Sequence, residues 1–150
     1  MSVKERWKGT RRIAFGTEES IALILPILEA DHRILHAYLF GSRASKRNDM
    51  SSDIDVAIYT TRDFSWQDYY LVHGEITKKL RSYRLDLAWM NMADPILCFE
   101  VIKDGKVLFY RNADKLNDFE WMAKKKYYDH VIYLNRHRCK REKTDVTERI

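Results

Sequence analysis

Residues 38–59 constrain the fold more than any other part of this chain, because they read as strand, glycine turn, short helix, loop and second strand. The first strand ends at Gly41, and the second opens with Asp53 and Asp55, which one apolar residue separates. Residues two apart in a strand point to the same face, so these two carboxylates project together. Side by side, they repel each other unless a cation lies between them. The sequence therefore predicts a site for a hard divalent ion such as Mg²⁺, held by carboxylates and by the phosphates of a substrate.

The glycine turn supplies the second half of this predicted site. Gly41 lets the backbone come close to a phosphate, and the N–H groups at the start of the following short helix face that phosphate. Ser42 can cap that helix or bond a phosphate oxygen. Arg43 follows directly, and among the cations of this loop we expect it to contact a triphosphate. The five glycines of the chain are isolated from one another, which excludes a Walker A loop and a dinucleotide-binding glycine motif.

A third carboxylate is predicted on another strand, at residues 84–90. The alternation there puts three apolar side chains on one face and Asp86 on the other. An aspartate in the middle of a strand, flanked by core residues, is costly unless it is paired or ligated. Asp86 is therefore either ligated or paired, and one possible pair is a salt bridge with Arg84.

The hydrophobic pattern predicts one α/β domain in which helices and strands alternate along the chain. We expect Thr17 to cap the first helix and Pro26 to kink or split it. Further helices are predicted from Ser65, over 94–103 and over 113–137, and strands over 34–40, 84–90 and 106–110, besides the strand that opens at Asp53. Ser65 should cap its helix in a capping-box pattern with Asp68. The buried stripes are predicted to be Tyr69, Val72, Ile76 and Leu80 on this helix, and Leu116, Phe119, Ala123, Tyr127, His130 and Leu134 on the last one. The chain then divides into an N-terminal arm (1–16), which is either mobile or an extra helix, a domain (17–137) and a basic tail (138–150), which we expect to fray.

The charge of the chain is unevenly distributed. Residues 1–120 contain 18 Lys and Arg and 18 Asp and Glu, whereas residues 121–150 contain nine and four. The last segment thus carries the whole net charge of +5 and could meet nucleic acid or an acidic partner, or could simply be a solvated helix face.

The remaining composition indicates where such a protein works. No apolar run reaches the roughly 18 residues of a membrane helix, and the N-terminus lacks a signal peptide, so we expect a cytoplasmic protein. The two cysteines, Cys98 and Cys139, have no metal-binding spacing and are consistent with a reducing compartment.

The pattern Gly41-Ser42, ten residues, then Asp53-Ile54-Asp55 resembles the signature of the polymerase-beta-type nucleotidyltransferases. The chain length and the flanking residues are most similar to the minimal nucleotidyltransferases, which serve as antitoxins beside HEPN-type toxins. The resemblance extends over residues 17–137. It implies a polymerase-beta-like fold, in which a mixed sheet of about four strands packs against helices.

The resemblance also implies a reaction. Members of this family transfer AMP from ATP to a tyrosine of the cognate HEPN ribonuclease and so silence it. Asp53, Asp55 and Asp86 would hold two Mg²⁺ ions, and Asp86 could instead act as a general base. Gly41, Ser42 and Arg43 would bind the nucleotide.

The sequence is also compatible with two other functions. The chain has no second domain to hold a tRNA, a primer or a small molecule, so its acceptor should come from a partner protein, and nucleic acid is an unlikely direct substrate. The alternatives are an antitoxin that only binds its toxin, and a small-molecule nucleotidyltransferase similar to the aminoglycoside-modifying enzymes, acting as a homodimer. The three acidic residues argue against a pure binder, since binding alone does not need clustered carboxylates.

Overall fold

The computed structural model describes residue 13 and residues 15–44 and 53–148, with side chains as far as residue 139. Four helices, four strands and one short 3₁₀ turn follow one another in this part of the chain. In chain order they are α1 (Thr17–Ala30), β1 (Ile34–Phe40), the 3₁₀ turn (Gly41–Arg43), β2 (Ile54–Thr60), α2 (Trp66–Leu80), β3 (Leu85–Trp89), α3 (Pro95–Asp104), β4 (Lys106–Tyr110) and α4 (Ala113–Glu148).

The four strands form one mixed sheet in the order β3-β2-β1-β4. β1 pairs antiparallel with β2 and with β4, whereas β2 and β3 are parallel. The parallel pair is possible because α2 crosses over between them, as parallel strands require. The expected polymerase-beta-like arrangement of a mixed four-stranded sheet with helices is therefore confirmed.

Helices α1 and α2 cover one face of the sheet and form the larger core. Apolar side chains that alternate along β2 and β3 pack there against the buried stripes of both helices. The stripe of α2 is the predicted one, with Val72, Ile76 and Leu80 buried. Ser65 caps this helix in a capping box with Asp68, also as predicted.

Helices α3 and α4 lie on the other face of the sheet. Tyr38 and Ala57 from the sheet pack there with Val101 of α3 and with Leu116 and Ala123 of α4. This second layer leaves room on the same face at the start of β2, which is where the predicted carboxylates lie.

Helix α1 differs from the expectation at two points. It is not split at Pro26 but continues through it. Proline removes the N–H that would bond the carbonyl of Ala22, but both residues are exposed, so water can satisfy that carbonyl. The cap of α1 is Gly16, with no side-chain hydrogen bond, and not Thr17.

Helix α4 ends at Glu148 and not near His137. Its last turns are rich in Arg, Lys and Glu, which are good helix formers, and contain neither Gly nor Pro. The boundary that we set at residue 137 thus lies inside a helix. None of the helices in the described part of the chain is both long and apolar enough to cross a membrane.

The N-terminal arm lies largely outside the described residues, as do residues 45–52 between the turn and Asp53. The end of the arm belongs to the domain, because Ile13 is buried in the larger core and Phe15 packs against it.

Candidate active site

The sheet brings the three predicted carboxylates together on the face that carries α3 and α4. Asp55 and Asp86 are direct partners in the parallel pairing of β2 with β3, so their backbones are about 4.8 Å apart. Asp53 stands two residues before Asp55 and therefore points to the same face. Although 30 residues separate Asp55 from Asp86 in sequence, the crossover through α2 places them side by side.

Like charges and burial disturb the ionisation of these groups. The pKa of Asp55 is raised to about 7, first by burial and then by the charges of Asp86 and Asp53, while Arg43 lowers it. The pKa of Asp86 is also raised, by burial and by the charge of Asp53, while His73 lowers it. A salt bridge between Asp86 and Arg84 would have the opposite net effect, so the charge environment favours a carboxylate cluster over that alternative.

Gly41 adopts a left-handed backbone conformation, with φ of 74°, and lies directly against Asp55. In the antiparallel pairing of β1 with β2, Phe40 is opposite Asp55, so the next residue passes over that carboxylate. A side chain at position 41 would collide with Oδ2 of Asp55. Glycine is required here both for the turn and for this close approach. The structure thus gives Gly41 a close contact with Asp55, and the expected approach of a phosphate to its backbone stays a prediction.

Ser42 and Arg43 occupy different environments in the turn. Ser42 is exposed, as a contact for a ligand should be. The side chain of Arg43 is buried, with 3% exposed, and its Nη1 donates to the carbonyl oxygen of Phe15 over 3.4 Å. These contacts tie the turn to the residues before α1 and place a cation near Asp55. The expected contact of Arg43 with a triphosphate stays a prediction, and the described contacts favour a structural and electrostatic role.

Helix α2 adds two residues to the surroundings of Asp86 that the sequence analysis did not include. Tyr69 donates its hydroxyl to the carbonyl oxygen of Leu87 over 2.5 Å, and its ring stacks on His73 with the centroids 6.3 Å apart. Both residues are close enough to Asp86 to interact with its charge, since burial and then Asp86 raise the pKa of Tyr69, and His73 lowers the pKa of Asp86. Their spacing of four on one helix was visible in the sequence, but the position of α2 beside β3 was not.

The donor chemistry of the cluster fits a divalent metal. Among the described residues, no three His, Cys, Asp or Glu side chains are gathered closely enough to hold an ion as they stand. The three aspartates nevertheless offer oxygen donors alone, which hard cations prefer, and a cation between them would relieve the repulsion that raises the pKa of Asp55. The residues present therefore fit Mg²⁺ better than a softer metal.

Two cavities of the described structure lie away from these carboxylates. One, of about 560 Å³, lies between α1 and α2, and the other, of about 670 Å³, lies between α3, α4 and the far end of the sheet. The three carboxylates line neither of these cavities, and Asp86 is exposed.

A protein-family model matches the part of the chain that contains the three carboxylates. The family model described as "Polymerase beta, Nucleotidyltransferase" matches residues 23–114, a span that includes the glycine turn and all three aspartates. No curated protein sequence matches the chain significantly.

Three solved structures illustrate the similarity of fold. A chain of the complex of a tri-AMPylated Shewanella oneidensis HEPN toxin with an MNT antitoxin is 21% identical, with a TM-score of 0.63, over 82% of this chain and 95% of that one. A chain of the MntA–HepT toxin–antitoxin complex is also 21% identical, with a TM-score of 0.63, over 83% and 97%. A chain of a toxin–antitoxin complex with AMP-PNP is 22% identical, with a TM-score of 0.64, over 83% and 96%. At these identities the comparison establishes the fold.

Proposed function

Because the chain belongs to the polymerase beta nucleotidyltransferase family, we propose that it is a metal-dependent protein adenylyltransferase that serves as an antitoxin. In this proposal it transfers AMP from ATP to a tyrosine hydroxyl of a cognate HEPN ribonuclease in the cytoplasm and so neutralises that toxin. The observation that carries the proposal is the cluster of Asp53, Asp55 and Asp86 beside the Gly41 turn, since a protein that only binds its partner does not need three neighbouring carboxylates.

The structural neighbours support a HEPN protein as the acceptor and ATP as the nucleotide donor. One neighbour is a complex with an AMPylated HEPN toxin, and another contains AMP-PNP, an analogue of ATP. The described fold also contains no second domain that could hold a nucleic acid or a small acceptor. A protein acceptor that brings its own hydroxyl to the carboxylate site agrees with both observations.

The proposed step is an in-line displacement at the α-phosphorus of ATP. The acceptor oxygen forms a bond to that phosphorus, the bond to the oxygen that bridges to the β-phosphate breaks, and pyrophosphate leaves. Asp86 is the exposed member of the three carboxylates, so an acceptor that arrives from solvent meets it first. We assign to Asp86 the proton of the attacking hydroxyl.

Asp53 and Asp55, together with Asp86, are the residues that would hold Mg²⁺. When bound there, two such ions would stabilise the charge on the entering and leaving oxygens. Ser42 is placed to donate to the phosphates from the exposed side of the turn. Arg43 is buried in the same turn. Its charge lowers the pKa of Asp55 and so favours the ionised form that binds a cation.

The test is transfer to the HEPN protein encoded beside this chain. The purified pair is incubated with Mg²⁺ and ATP, and intact-mass spectrometry is used to detect added AMP on either protein. We expect modification of the HEPN protein by the wild type and a loss of about a hundredfold or more in rate for Asp55→Asn. Asp104→Asn, which removes an exposed carboxylate at the end of α3, is the matched control and should transfer normally.

Three results would contradict this proposal in different ways. Binding and neutralisation of the toxin without added AMP would show an antitoxin that acts by masking alone. Modification of an aminoglycoside, but not of the HEPN protein, would show a small-molecule enzyme. Equal rates for Asp55→Asn and the wild type would remove the carboxylate cluster from the reaction.

A further inference from the structure

Helix α4 has two apolar faces, and only one of them packs on the domain. The inner face carries Leu116 and Ala123, which are buried in the second core, and Phe119, which packs beside them. Tyr127 continues this face and stacks on Phe99 of α3 with the centroids 3.9 Å apart. These residues follow the stripe that the sequence predicted, and they attach the first half of α4 to the domain.

The outer face of α4 carries a second apolar stripe. Trp121, Tyr128 and Ile132 are 64%, 57% and 51% exposed. At 100° per residue they lie within about 40° of one another and on the side of the helix opposite the inner face. Cys139, which is also exposed, falls on the same line.

The spacing of this stripe is that of a helix-pairing seam. Positions 121, 125, 128, 132, 135 and 139 alternate steps of four and three residues, as the a and d positions of heptads do. Lys125 and Asn135 are the polar members of the seam. The ammonium group of Lys125 lies 5.9 Å from the centre of the Trp121 ring, so it covers this anchor in the free protein. We call residues 121, 125, 128, 132, 135 and 139 the outer seam.

We propose that the outer seam docks a helix of the acceptor protein, and that this helix is apolar along its own seam and acidic beside it. The inference rests on the proposed function for the identity of that protein, but not for the seam itself. Tyr and Trp are frequent binding hot spots because they bury a large rigid area. Docking on α4 would hold the acceptor on the same face of the sheet as the three carboxylates.

The charge of α4 argues that the occupant is a different protein and not a second copy. Residues 121–139 contain five Lys and Arg and one acidic residue, Asp129. Two parallel copies would place Lys125 against Lys125. Two antiparallel copies centred between Tyr128 and Ile132 would bring Lys124 of one copy near Arg138 of the other. Like charges at these positions disfavour self-association, whereas an acidic helix meets them with opposite charge.

The test compares two sets of exposed apolar residues on the same helix. The seam variant is Tyr128→Ser with Ile132→Ser, and the control is Leu134→Ser, which removes an equally exposed side chain (49%) outside the seam. Titration calorimetry with the HEPN protein encoded beside this chain should show affinity about tenfold or more weaker for the seam variant. The control should stay within about twofold, and thermal melts of both should match the wild type, because none of these side chains is buried.

The outcomes separate this inference from the proposed function. Binding that survives in the wild type and in Asp55→Asn, is lost in the seam variant and is accompanied by no AMP transfer would support the seam and overturn the enzyme. Transfer with undiminished affinity of the seam variant would overturn the seam and keep the enzyme. Failure of the wild type to bind the HEPN protein would also overturn the seam. Sedimentation that shows a dimer of the wild type, dissociated by the seam variant, would assign the seam to a second copy and overturn the proposed occupant.

Discussion

At the scale of single residues, the site depends on one contact between a backbone and a carboxylate. Gly41 passes over Asp55 with a left-handed backbone, and Arg43 of the same turn is buried beneath it. The turn therefore positions Asp55 before any ligand arrives. Its glycine contacts the carboxylate directly, and the binding of a nucleotide at this glycine stays a prediction.

We expect Gly41→Ala to destabilise the fold as well as to weaken nucleotide binding. A left-handed alanine costs about 1–2 kcal/mol, and its methyl group would displace Asp55. Gly74→Ala is the control, because nothing lies within 4 Å of its new methyl group, and an exposed helical glycine gains about 0.5–1 kcal/mol on this change. Thermal melts of both variants check the expectation.

The contact with Asp55 can be isolated by a double-mutant cycle. In an Asp55→Ala background the collision with the carboxylate is gone and only the 3.3 Å contact with Cβ of residue 55 remains, so Gly41→Ala should cost little beyond its backbone strain. Equal costs of Gly41→Ala in the two backgrounds would show that the turn and the carboxylate are independent.

His36 makes the fold sensitive to acid. Its side chain is 1% exposed, stacks on Tyr59 and packs against Phe119, with both centroids 4.9 Å away, and its Nε2 has no hydrogen-bond partner among the described residues. Burial lowers the pKa of His36 to about 4. The unfolded chain, with a pKa of about 6.5, therefore binds more protons between these values, and stability falls as the pH falls from about 6.5 to 4.

We expect His36→Phe, which keeps the aromatic packing, to remove this acid sensitivity. Its gain in Tm over the wild type should be larger at pH 5 than at pH 7.5, by about 2–6 °C. Asp55→Asn is the control, because its gain in Tm should change with pH in the opposite direction. Because the pKa of Asp55 is raised to about 7, the repulsion that Asn removes is present above that pH, and this variant should gain more at pH 7.5, in chelator, than at pH 5. A pH-independent gain for His36→Phe would exclude His36 as the titrating group.

At the scale of elements, α2 links the two halves of the site. It makes the crossover that aligns Asp86 with Asp55, and its first turn is fixed on two sides. The Ser65 hydroxyl accepts from the backbone N–H of Asp68 over 3.3 Å. The Asp68 carboxylate accepts from the Ser65 N–H over 2.8 Å and from Arg33, just before β1, over 2.9 Å.

We expect Ser65→Ala to lower the free energy of unfolding by about 1 kcal/mol, or the Tm by about 2–4 °C, because the N-cap hydrogen bond is lost. Thr17→Ala is the matched comparison, since the sequence gives both residues the same role but the structure shows no side-chain cap on α1. The second change should alter the Tm by less than about 1 °C in thermal melts. Equal losses for the two variants would contradict the assignment of the caps.

The whole molecule shows which features are encoded locally. The Gly41 turn, the pair Asp53 and Asp55 and the bounds of β1 were predictable, because each depends on the spacing of near neighbours. The place of Asp86 beside Asp55 needed a family resemblance, since nothing local determines that β2 and β3 are parallel neighbours. The burial of Arg43 and the approach of His73 to Asp86 were not predictable, because both arise from packing between distant segments.

The second half of α4 shows a different limit. It has few apolar residues, so the hydrophobic pattern ends before the helix does, and only intrinsic helix propensity continues beyond it. The outer seam was overlooked for a related reason. One apolar stripe is enough to explain how a helix packs on its own domain. A second stripe on the opposite side indicates a partner only when the structure shows that the first stripe already packs on the domain.

The length of α4 has a consequence for how fast a partner is found. Its 36 residues extend about 54 Å at 1.5 Å per residue, while packing in the described residues is confined to its first half. The whole excess positive charge of the chain lies on residues 121–150, which include most of this helix, and residues 1–120 are neutral overall. The protein is therefore a strong electric dipole that turns its helix toward an approaching acidic surface. Such steering raises the association rate and does not change the lifetime of the complex. Salt should therefore lower the association rate constant and leave the dissociation rate constant almost unchanged.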